Sequence, residues 1–211
     1  MEIVSLREVD STQKYLIDKL KSNALHAPVA LIAQKQSAGV GSRENVWVSS
    51  EGDFLLSLAL ERHTLPKDLP LGSSALYFAY IIKETLRQYL PDIWLKWPND
   101  IYYQKSKVGG VVTQKVGEVL VCGVGINLQS NCGGFESLTL DLEPRILLDA
   151  YLEKLAQKPT WKQIFIKFKL EFNNNKEISA HVLGEKMSLK DASLNDDGSL
   201  TINKKRIYSL R

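Results

Sequence analysis

The chain has 211 residues, 44% hydrophobic and 24% charged, without internal repeats. That balance excludes fibrous, low-complexity and disordered classes, and at this length folding buries roughly 70% of the unfolded surface, enough for a core without metal or disulfide staples. Twenty-seven basic against 24 acidic residues leave a net charge of +3, too small for a binder that relies on phosphate neutralisation, so no nucleic-acid partner is expected. The short run Lys204-Lys205-Arg206 reads as a solvated turn or strand edge.

Cys122 and Cys132 have neither CxxC spacing nor a neighbouring histidine, which speaks against a zinc site or redox pair. The first residues lack a signal peptide's basic and apolar regions, and no run of 18 apolar residues occurs anywhere. A cytoplasmic protein with no membrane contact is therefore expected.

In chain order, residues 2–7 suggest a short strand. Asp10 is placed to cap a helix, with Gln13 three positions on as a capping box requires. That helix turns Leu16, Ile17 and Leu20 inward. Residues 28–33 and 54–60 read as buried strands. Between them, residues 36–53 form a polar stretch with glycines, and loops longer than about 12 residues are usually functional or mobile. Residues 72–90 give the clearest helix, with Ala75, Ala79, Ile82, Leu86 and Leu90 on one apolar stripe and Pro91 as its stop. Three strands rich in Val and Ile are expected at 93–97, 107–116 and 118–128, with a hairpin at Gly117. Helices follow at 143–157 and 160–174. In the second, Trp161, Phe165, Phe168 and Phe172 form a stripe read as core packing.

Asn173-Asn174-Asn175 breaks the composition, and short strands are expected at 186–190, 199–203 and 206–210. Asn195-Asp196-Asp197-Gly198 is a strong turn signal between two of them. The fold class expected is α+β: a mixed, mainly antiparallel sheet with packed helices over residues 1–178, then a small β module over 179–211.

Three segments could carry chemistry. In Lys96-Trp97-Pro98-Asn99-Asp100, proline drives Trp97 out of the helical region, so an extended strand ends with an amide and a carboxylate at its tip. Lys107 follows seven residues later, just before Gly109-Gly110, where a lysine can meet an anion lying close to bare backbone. A hairpin with solvated lysines accounts for these residues as well. In residues 121–127, Cys122, Val124 and Ile126 share one strand face, while Val121, Gly123, Gly125 and Asn127 share the other. Glycines inside a strand ask for a close neighbour, either a flat ligand or a packed helix. The loop Gln36 to Arg43 has glycines whose amides could cradle an anion, yet it is neither a dinucleotide fingerprint nor a P-loop.

Taken in order, Asp10-Ser11-Thr12, residues 36–43, residues 47–57, Lys96 to Asp100, residues 107–110 and residues 123–127 give a chain that resembles the biotin protein ligases. The Lys-Trp-Pro-Asn-Asp block followed by Lys-x-Gly-Gly is the most specific part. The resemblance implies a class II synthetase-like catalytic domain with a C-terminal SH3-like module, here short. It implies an enzyme using ATP, biotin and Mg²⁺ that forms biotinyl-5'-AMP and then biotinylates a lysine of a biotin carboxyl carrier protein. Lys107 would hold the biotin carboxylate and neutralise the α-phosphate, with Arg43 as a second catalytic cation. Biotin would be bound by Ser11, Thr12, Gln13 and Gln36, by the loop residues Gly39, Val40, Gly41 and Ser42, and by Gly110 and Gly123 as floor. Lys96, Trp97, Asn99 and Asn127 would contact the nucleotide, and Asp100 would help to place Mg²⁺. For Ser11 and Thr12, plain helix capping is the competing role.

One departure concerns the loop, which in the family usually reads Gly-Arg-Gly-Arg-x-Gly. Here Val40 and Ser42 stand at the arginine positions, and Arg43 lies one place further along. Losing a bidentate guanidinium is expected to weaken the hold on biotinyl-adenylate unless Arg43 substitutes. The ligase-like segment starts within ten residues of Met1, so the monofunctional type without a DNA-binding domain is expected. Relatives commonly dimerise through a sheet edge, which makes a homodimer an expectation of the resemblance alone. Two other functions compete: a lipoate ligase or octanoyltransferase, and a non-catalytic biotin-binding regulator.

Overall fold

The computed structural model describes residues 1–41, 46–129, 137–182 and 185–208. Ser42, Arg43 and Cys132, three of the residues singled out above, lie outside them. The described elements begin with β1 (Glu2–Val9), α1 (Thr12–Lys21) and β2 (Val29–Gln36). A small hairpin follows, β3 (Gly39–Val40) with β4 (Val46–Trp47), and then β5 (Phe54–Glu61) and α2 (Ser74–Leu86). Four antiparallel strands come next: β6 (Ile93–Lys96), β7 (Asp100–Tyr103), β8 (Ser106–Val116) and β9 (Val119–Ile126). Helices α3 (Pro144–Ala156) and α4 (Trp161–Glu171) precede the C-terminal strands.

Seven strands make one sheet in the order β1-β2-β5-β9-β8-β7-β6. β1 and β2 pair in parallel and every other neighbour is antiparallel, so the expected mixed, mainly antiparallel sheet is present. Strand alternation then divides the residues. Leu56, Leu58, Cys122, Val124 and Ile126 face α2 and join the main hydrophobic core, together with the aromatic stripe of α4. On the opposite face Leu16 and Ile17 of α1 cover Val29, Ala59 and Val121 in a second, smaller cluster. α1 lies over β2, β5 and β9.

Several expectations need correction. The helix cap is Ser11, whose hydroxyl accepts the Lys14 N–H, and not Asp10; no capping box forms, and Asp10 instead accepts the Ser11 N–H. α2 is not amphipathic: from Ser74 to Leu86 every residue except Glu84 is buried, because α3 and α4 cover the side away from the sheet. Strand β7 was not foreseen, since Asp100, Tyr102 and Tyr103 disguise the period-two pattern around buried Ile101. The polar loop at 36–53 contains the β3–β4 hairpin, which pairs Gly39 with Trp47.

After residue 178, β10 (Ser179–Val182) pairs with β11 (Glu185–Ser188), and β12 (Ser193–Leu194), β13 (Leu200–Ile202) and β14 (Lys205–Ile207) form a second small sheet. β10 and β12 escaped the sequence reading because each offers too few alternating residues. The turn at Asn195–Gly198 joins β12 to β13, with Gly198 at φ +81°. Ala180, Leu189, Ala192, Leu200 and Ile202 belong to the same core as the large sheet. The indole N–H of Trp161 donates to Asp196 O at 2.9 Å, binding that turn to α4. Among the described residues no helix is long and apolar enough to cross a membrane.

Candidate active site

On the sheet face that carries α1, a cleft lies beside the helix over β9, β8 and the start of β7. The empty space in it amounts to ≈ 470 Å³, counting the part that is open to solvent. At one end stand Ser11, Thr12 and Gln13 from the start of α1 and Gln36 from the end of β2. Gly123 and Gly125 of β9 and Gly110 of β8 make the floor. Asn99, Asp100 and Lys107 close the other end, and Val40, Gly41 and Trp47 form a wall from the small hairpin.

The first end is a hydrogen-bonded cluster. Gln36 Oε1 accepts from the Thr12 N–H at 2.7 Å and the Thr12 hydroxyl at 2.9 Å, and the buried Ser57 hydroxyl donates to Thr12 Oγ1 at 2.9 Å. These bonds fix the Gln36 amide and the helix N-terminus against β5. Polar groups held this way present donors and acceptors to a polar ligand without reorganising. Gln13 reaches over Gly123, where a Cβ would stand 3.2 Å from Gln13 Oε1.

At the second end Lys107 Nζ lies 2.7 Å from Asp100 Oδ1, both side chains largely covered. An ammonium has three donors, so one spent on Asp100 leaves two for an anion. Asn99 is buried, and its amide donates to Val111 O. That bond, with Val111 N–H to Asn99 O at 3.0 Å, locks the β6–β7 turn against β8 and sets where Asp100 points.

Two features escaped sequence reasoning, the first of them in the cleft. The Trp47 ring covers Gly125 so closely that a Cβ there would fall 2.6 Å from the indole. Asp53 is fully buried and accepts the Ser50 N–H at 2.7 Å and the Leu128 N–H at 3.0 Å, fastening the segment after Trp47 to the exit of β9. Burial pushes the Asp53 carboxyl above the usual range, against the pull of the backbone donors. Nothing local in the sequence marks either, since each depends on a partner far along the chain.

Of the residues expected to bind biotin, Ser11, Thr12, Gln13, Gln36, Val40, Gly41, Lys107, Gly110 and Gly123 are brought together around the cleft. Gly39 lies just behind the wall, its backbone against Trp47. For the nucleotide, Asn99 lines the cleft, Lys96 stands one strand outside it, and Asn127 is wholly buried past the end of β9. Trp97 needs correction: its ring is 2% exposed in the core and its N–H donates to Gly198 O at 2.9 Å. The side chain serves to dock the C-terminal turn, not to meet a nucleotide. Among the described residues no cluster of three or more His, Cys, Asp or Glu stands ready for a metal, leaving Asp100 as the carboxylate at the cleft.

Residues 5–131 match the Biotin/lipoate A/B protein ligase family. The chain belongs to that family. The matched segment spans both ends of the cleft, from the helix N-terminus to the end of β9. Among its relatives is the bifunctional ligase/repressor BirA of Escherichia coli, 33% identical over 132 residues, or 60% of this chain and 40% of that protein. The chain thus spans well under two thirds of the length of that curated relative. Among solved structures, the biotin acetyl coenzyme A carboxylase synthetase of Helicobacter pylori with bound biotinylated ATP is 37% identical, with TM-score 0.92 over 98% of this chain and 99% of that one. The biotin protein ligase of Aquifex aeolicus in complex with biotin and ATP is 25% identical, with TM-score 0.73 over 100% of this chain and 96% of that one.

Proposed function

We propose that this chain is a biotin ligase that activates biotin with ATP to biotinyl-5'-AMP and passes the biotinyl group to a lysine of a biotin carboxyl carrier protein. The observation that carries the reading is the pairing of a polar, hydrogen-bonded cluster with the Lys107–Asp100 ion pair, at opposite ends of a cleft floored by glycine. A bicyclic urea needs donors and acceptors at one end and a cation for its carboxylate at the other. The Helicobacter pylori relative, matched over nearly its whole length, supports the same ligand.

In the first step a biotin carboxylate oxygen attacks the α-phosphorus and pyrophosphate leaves. Such transfer asks the protein for positioning and for cations near developing charge. The two free donors of Lys107 supply both, one to the carboxylate and one to an α-phosphate oxygen. Asp100 aims that ammonium. A single carboxylate also suits Mg²⁺, which usually takes one or two protein carboxylates with the substrate's phosphates and water. Asp100 would hold it, and the ion would neutralise phosphate charge. In the second step the acceptor amine attacks the mixed anhydride and AMP leaves. The glycine floor lets the acyl phosphate lie against backbone.

Thr12, Gln13 and Gln36 favour biotin over lipoate, whose dithiolane ring offers no comparable hydrogen-bonding pattern. The test is to mix the protein with Mg-ATP and either biotin or lipoate, and follow adenylate and acceptor labelling by mass spectrometry. Biotinyl-adenylate and labelled carrier are expected. Absence of adenylate with biotin overturns the reading, and labelling with lipoate alone replaces it with the lipoyl one.

A further inference from the structure

Across the sheet, Lys96 pairs with Asp100, Asp100 with Gly110, and Gly110 with Gly125. Directly paired residues point to the same face, so Lys96 shares the cleft's face and stands one strand beyond Asp100. Beyond a shift in the β7–β8 register, Tyr102 pairs with Trp94 on one side and Lys107 on the other, and the Lys107–Asp100 contact keeps Lys107 at the cleft. Lys96 Nζ donates to Tyr102 Oη at 3.2 Å and lies 5.0 Å from that ring's centre. The Trp94 ring packs on Tyr102 at 5.0 Å and is itself held by its N–H bond to Gln104 O at 2.8 Å. A lysine and a phenol are therefore held on the side of Lys107 opposite Thr12, Gln13 and Gln36.

In phosphoryl transfer the attacking and leaving oxygens are roughly in line with the phosphorus. An acid entering from the Gln13 side and meeting phosphorus beside Lys107 sends its leaving group toward β7 and β6. We propose that Lys96 and Tyr102 form the subsite that receives the departing pyrophosphate, an assignment that rests on the biotin-activating reading above. The bond formed joins a carboxylate oxygen to the α-phosphorus. The bond broken joins that phosphorus to the bridging oxygen, which keeps the electron pair, so no proton need move. Lys96 has two further N–H donors, and Tyr102, whose oxygen accepts from Lys96, keeps its own O–H to donate to a phosphate oxygen.

The experiment compares Tyr102→Phe and Lys96→Gln with wild type in both half-reactions. Pyrophosphate is added to enzyme carrying biotinyl-adenylate and ATP formation is followed; separately, supplied biotinyl-adenylate is used to label the carrier. The KM for pyrophosphate should rise about tenfold in Tyr102→Phe and further in Lys96→Gln, while carrier labelling by Tyr102→Phe changes by less than about twofold. An unchanged pyrophosphate KM, or an equal fall in both half-reactions, overturns the assignment and leaves the biotin reading standing. Wild type that makes no adenylate overturns both.

Discussion

Gly125→Ala tests whether the β3–β4 hairpin is what closes the cleft. A Cβ at Gly125 would stand 2.6 Å from Trp47 Cε2 and 2.9 Å from Cζ2 and Nε1. To regain ordinary contact near 3.4 Å the indole must retreat by about 0.8 Å, a displacement that in packed sites costs about 1–3 kcal/mol. The indole is a rigid plane on a two-residue strand, so the hairpin must move with it, taking Val40 and Gly41 out of the wall. The cost then falls on the hairpin and not on the core behind the sheet. Biotin affinity, measured by titration calorimetry, should drop by about 10- to 100-fold, with Tm lowered by about 2–12 °C. Gly110→Ala is the control for a methyl on the floor, because its Cβ meets nothing closer than 3.6 Å. In a double-mutant cycle, Trp47→Ala should absorb most of the Gly125→Ala penalty, giving a coupling energy above about 1 kcal/mol. Additive penalties would refute the contact as the cause.

Thr12→Val strips the acceptor from the buried Ser57 hydroxyl, which should cost about 1–3 kcal/mol; adding Ser57→Ala should return most of it, as thermal melts will report. Lys83, 1% exposed between Glu84 and Glu171 at 2.8 Å each, ties α2 to α4. Because both carboxylates keep 27% exposure, Lys83→Met should cost about 2 kcal/mol and not the full price of a buried pair, lowering Tm by roughly 4–8 °C; an unchanged Tm contradicts this. Asp53 gives a pH signature. Its carboxyl titrates above the unfolded value of 3.8, so the native state keeps a proton that the unfolded state has released. Wild-type stability relative to Asp53→Asn should therefore fall as pH rises from 3.8 and level off once Asp53 is ionised; a flat or rising difference in melting curves contradicts the assignment.

Local patterns in the chain were enough to mark six of the seven strands of the large sheet, the helices and the glycine floor. Cys122, Val124 and Ile126 alternate with Gly123 and Gly125, and the structure places one set in the core and the other in the cleft. The stripe of Trp161, Phe165, Phe168 and Phe172 is buried as its spacing required. The resemblance in turn pointed to residues 11–13, Gln36 and Lys107, which tertiary folding gathers around one cleft from three separate elements.

Other features depended on partners far along the chain. Trp97 and Lys96 are adjacent, and nothing local tells that one enters the core to hold Gly198 while the other stays on the cleft's face; strand alternation separates them only once β6 has its neighbours. α2 reads as amphipathic until α3 and α4 cover its second side. The burial of Asp53 and the seating of Trp47 on Gly125 follow from β9 lying beside β5. The sequence by itself determined periodicity and side-chain chemistry, which act within a few residues. Only the tertiary structure decided which side chains meet, because those contacts arise when strands distant in sequence pair and set their register.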